Sequence, residues 1–102
     1  MNECIIAPSR EMLGTAVELE VSGTPLDFEL AQALAWAAAR CRKRDPMLLA
    51  WYDRDGDRHS PPVECCGKDR PSWLIYAQSR GADLAVTVNH ERFVFMFWGE
   101  PV

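Results

Sequence analysis

No apolar run in these 102 residues approaches the roughly 18–20 needed to cross a bilayer, which excludes a helical membrane span. No basic stretch opens the chain either. Met1-Asn2-Glu3-Cys4 leads into Ile5-Ile6-Ala7 and then Pro8, which does not make a secretory signal. A Gly-rich phosphate loop, a Gly-x-Ser-x-Gly elbow and a His-Glu-x-x-His pair are all missing, so the common signatures of phosphoryl transfer, serine hydrolysis and zinc peptidases do not apply. Histidine occurs only twice, and no Cys-x-x-Cys spacing exists. Positive charge is in short supply: 11 Lys and Arg stand against 15 Asp and Glu, for a formal net charge of -4. Long-range attraction to nucleic acid or anionic lipid is therefore not built in.

Hydrophobic residues make up 48% and charged residues 25%, a balance suited to a single globular domain over residues 1–102. Four cysteines occur, at Cys4, Cys41, Cys65 and Cys66. Without a signal peptide they point to the reducing cytoplasm, where free thiols are the expected state.

Hydrophobic periodicity marks the elements. Val17, Leu19 and Val21 alternate with Glu18 and Glu20, the pattern of a half-buried strand over 15–21, and a shorter strand is expected over 3–7. A long helix is expected over residues 25–44. Thr24 offers a cap, Pro25 suits the first turn, Asp27 completes a capping box, and Pro46 stops the run. On its wheel, Leu26, Leu30, Leu34, Ala37 and Cys41 form an apolar stripe expected to cover the sheet. Ala31, Ala35, Ala38 and Ala39 form a second strip beside it. Residues 47–52 read as a strand, Asp55-Gly56 as a hairpin turn and residues 58–60 as the returning strand. A loop over 61–71 precedes a short second helix over 72–80, stopped by Gly81. The C-terminus alternates as a hairpin: Leu84, Val86 and Val88, a turn at residues 89–91, then Phe93, Phe95 and Phe97. The expected fold is α+β, a two-layer domain with a mostly antiparallel sheet of about 5–6 short strands and one long helix packed across it.

Four constellations carry possible chemistry. Asp53, Asp55, Asp57 and Glu64 occupy positions one, three, five and twelve of a calcium loop. Against this, Arg58 stands where such a loop needs glycine, and Pro61 and Pro62 stand where a helix should begin. A solvated acidic turn is the plainer reading. Cys65 and Cys66, with His59 nearby, make a loop at 59–70 a candidate reactive thiol or zinc site. Adjacent cysteines chelate poorly, whereas Lys68 and Arg70 would favour a thiolate. Glu18 and Glu20 share a strand face and form a candidate acid–base pair, although a wet strand face is the plainer explanation. Arg40, Arg42, Lys43 and Arg44 form a basic cluster that the helix dipole accounts for, so nucleic acid is disfavoured as a partner.

What remains is surplus apolar surface. Trp36 falls in the polar sector of the helix, the alanines form a second strip, and Met96 and Trp98 lie behind the phenylalanine face. Exposed apolar surface of this kind marks interaction sites, and self-complementary patches yield two-fold dimers. The expectation is a non-catalytic homodimer with no cofactor, meeting through Trp36, Ala31, Ala35, Ala39 and Trp98.

Overall fold

The structure, a computed structural model, describes residues 8–62 and 70–101. The elements run α1 (Arg10–Leu13), β1 (Ala16–Leu19), α2 (Phe28–Arg42), β2 (Lys43–Asp53), β3 (Arg58–Ser60), α3 (Ser72–Ser79), β4 (Leu84–Val88) and β5 (Phe93–Pro101). The strand expected at 3–7, the thiols Cys4, Cys65 and Cys66, Glu64, and most of the loop at 61–71 lie outside the described residues.

Five strands form one sheet in the order β1-β4-β5-β2-β3. β1 runs parallel to β4, and every other pairing is antiparallel. β1 and β2 therefore point the same way with β4 and β5 laid between them, and α2 makes the crossover. The α+β class, the mostly antiparallel sheet, the long helix and the short second helix all stand as the periodicity implies.

Alternation along β5 decides how the layers stack. Phe93, Phe95 and Phe97 turn to one face with Leu84, Val86 and Val88 of β4, and the buried alanines Ala31, Ala35 and Ala39 of α2 close over them. Val94 and Met96 turn to the other face, where Trp73, Leu74 and Ala77 of α3 and Leu13 of α1 cover them. The expected two layers are thus joined by a third. This is why both faces of β5 are apolar and why Met96 is only 1% exposed.

Both ends of α2 differ from the expected 25–44. Asp27 is the N-cap, with extended backbone and a carboxylate that accepts from the Leu30 amide at 2.9 Å, and the helix begins at Phe28. Thr24 and Pro25 stay in the incoming segment. At the far end Arg42 is the last helical residue and Lys43 already belongs to β2, with no loop between them. Pro46 does not stop the helix. It lies at a register shift in β2 between Arg44 and Met47, beside Asp45 at φ 51. The shift falls in the ladder with β5: Arg44 pairs with Glu100 and Met47 with Trp98, so Asp45 and Pro46 share the position opposite Gly99, and a proline is tolerated at such a bulge.

Candidate functional site

At about 100° per residue, α2 divides into an inner strip, two flanks and an outer face. Ala31, Ala35 and Ala39 form the inner strip and are fully buried in the chain's own core. They are not available as an interface, which corrects that expectation. The cause is volume. Phe93, Phe95, Phe97 and Trp51 already fill the space above the sheet, so only small residues fit beneath the helix. Of the stripe expected to cover the sheet, Leu26, just ahead of the helix, packs against the core, while the helical members turn away from it. Ala33, Ala37 and Cys41 are exposed, Leu30 and Leu34 are half-buried, and neither leucine packs against either core cluster. Glu29 and Arg40, both exposed, border this outer face on the same side.

Trp36 lies on a flank. Its ring meets Phe97 edge-on at 5.1 Å, and the Arg40 guanidinium lies 5.0 Å from its centroid. Lys43 of the basic cluster is drawn back to Asp83 at 3.0 Å. Trp98 is 39% exposed and pairs in register with Met47, itself 54% exposed. These two make a second, smaller apolar patch at the end of the sheet, beside Gly81.

The acidic turn builds a structural corner. Asp53 is buried, and its carboxylate accepts from the Gly56 amide at 3.0 Å and from Arg58 Nη2 at 2.8 Å. A Cβ on Gly56 would come within 2.7 Å of Asp53 Oδ2, so glycine is needed here for room. Arg58 in turn lies over the rings of Phe28 and Trp51, at 5.2 and 5.5 Å. Asp55 pairs with Arg92, which also donates to the Leu26 carbonyl. Phe28, Asp53, Asp55, Gly56 and Arg58 line a cleft of about 610 Å³ at the start of α2, bounded by Leu26, Glu29 and Phe93. Asp53 and Asp55 each answer to an arginine, and no metal-binding group of three or more ligands forms among the described residues. Asp57 is exposed, with φ 54.

The remaining candidates are dispersed. His59 is half-buried, with Nδ1 3.1 Å from the Pro61 carbonyl oxygen, and it faces away from Asp53. Glu18 pairs with Arg10, while Glu20 lies 3.2 Å from His90, so the two carboxylates do not act as a pair. No helix of the described residues is long and apolar enough to cross a membrane. Sequence reasoning overlooked the outer face of α2 as a surface. The signal was present in the stripe itself, but periodicity alone does not say which apolar strip turns inward.

The chain resembles the crystal structure of a novel protein from Archaeoglobus fulgidus, with a TM-score of 0.72 and 30% identity over 85% of this chain and 95% of that one. An uncharacterised protein of the same organism is 41% identical over 51 residues, half of this chain. The match spans 54% of that relative's length. Residues 14–97, from just before β1 to Phe97, match one family model. The chain belongs to the family described as a domain of unknown function, DUF5619.

Proposed function

We propose that this protein acts by association with a second copy of itself and carries out no chemistry of its own. The observation that carries the reading is the outer face of α2. After both faces of the sheet are covered, Leu30, Ala33, Leu34, Ala37 and Cys41 still share one side of a 15-residue helix and join neither core cluster. Burying such a face against its own copy removes apolar area from water on both protomers at once. The cytoplasm suits the proposal, since the exposed free thiol of Cys41 stays reduced there. The patch at Trp98 and Met47 is proposed as a peripheral contact.

Light scattering on the eluting protein tests this. The expected mass is twice the 11.5 kDa chain. A chain-mass species at every concentration, with the fold intact by circular dichroism, overturns the proposal.

A further inference from the structure

We infer that the two copies pair α2 against α2 in antiparallel fashion about a two-fold axis, with Glu29 of each protomer opposite Arg40 of the other. This rests on the self-association reading above and specifies its surface. Glu29 and Arg40 are eleven residues apart, which turns the helix through just over three full rotations and returns them to the same side, about 16 Å apart along the axis. Both are exposed, and neither has an ion-pair partner among the described residues. A two-fold axis perpendicular to the helices preserves that side and reverses the axial order, so each glutamate meets an arginine twice over. A parallel two-fold pair would put the two copies of this charged flank on opposite sides of the seam, where Glu29 meets no Arg40; only the antiparallel pair satisfies both charges. The charges therefore select a direction as well as a partner.

The apolar residues agree with that geometry. The midpoint between Glu29 and Arg40 falls next to Leu34, so the two copies of Leu34 meet near the axis. Leu30 of one protomer lies over the gap between Ala37 and Cys41 of the other, a knob facing a hole lined by small side chains. Ala33 and Ala37 at the crossing let the helices approach to the near end of the usual 8–10 Å range. Opposed helix dipoles add to the preference.

Equilibrium sedimentation of the full chain and its charge variants tests the pairing. Glu29→Arg and Arg40→Glu are each expected to weaken self-association by about tenfold, because each breaks two exposed ion pairs and creates two like-charge contacts. The double variant is expected to recover to within about twofold of the parent. Ala37→Asp is expected to give a folded monomer. Failure of the double variant to recover overturns the antiparallel pairing. A dimer indifferent to all four variants means that copies meet elsewhere, which removes this inference and leaves self-association standing. A parent chain that stays monomeric removes both.

Discussion

Thr87 is the residue at which the interior is least satisfied. It is fully buried in β4, between β1 and β5, and its hydroxyl has no hydrogen-bond partner among the described residues. Desolvating a hydroxyl without a partner costs about 1–3 kcal/mol, whereas valine keeps nearly the same shape. Thr87→Val is expected to stabilise the fold by about 1 kcal/mol, read as a higher urea midpoint with an unchanged slope. Tyr52 makes a different demand. It stacks on Trp73 at 5.4 Å, and burial raises its hydroxyl above the ordinary 10.0; Arg54 opposes the shift, and Asp57 and Asp53 add to it. The fold thus favours the neutral phenol. The stability this supplies is complete below pH 10.0 and is lost as pH rises through the elevated value. Denaturation on both sides of that pH should show the loss in the parent chain and a flatter profile in Tyr52→Phe.

At the scale of elements, α2 carries opposite demands on its two sides. Inside, Ala35 is fully buried in the cluster that holds Phe93, Phe95 and Phe97, so added methylenes must displace rings. Ala35→Leu is expected to destabilise by about 1–3 kcal/mol through overpacking. Outside, Ala37 is exposed on the single chain, and under dilute, monomeric conditions Ala37→Leu is expected to change stability by less than about 0.5 kcal/mol. Thermal melts of the two variants compare the faces directly. Equal costs would mean that the inner and outer strips are misassigned. Periodicity reached the existence of this helix and its apolar girth, but not its orientation. The wheel gives angles among residues, and the partner surface selects which angle turns inward. Leucine is the more hydrophobic choice, yet alanine won because the sheet brought the bulk. The cap shows the same limit: Thr24 and Asp27 both suit capping, and the path of the chain from β1 settled on Asp27.

The whole molecule depends on its last two strands. Among the described residues β1 pairs only with β4, and β2 reaches the centre of the sheet only through β5. Native pairing must wait for the C-terminal hairpin, and contacts so distant in sequence make for slow folding. A chain ending at Ala82 loses both central strands and leaves β1 without a ladder. It is expected to lack the cooperative unfolding transition of the full chain, as measured by calorimetry. A hairpin that joins the sheet this late must also fix its register. The turn does so through three left-handed residues, Asn89, His90 and Glu91, and through the Asn89 side chain, which bonds both the amide and the carbonyl of Val21.

Local pattern determined the strands at both ends of the sheet, the two main helices and the absence of a helical membrane span, because alternation, helical period and run length are properties of neighbouring residues. The acidic turn was legible as a turn for the same reason. Its partners were not, since Arg58 and Arg92 reach the aspartates only after β2 has paired on both sides. Tertiary structure alone decided that α3 covers the far face of the sheet, that Pro46 marks a bulge, and that the alanines of α2 close the core while its leucines turn outward. Those outcomes depend on which volumes meet across the layers, and volume complementarity belongs to two surfaces together, not to either stretch of chain by itself.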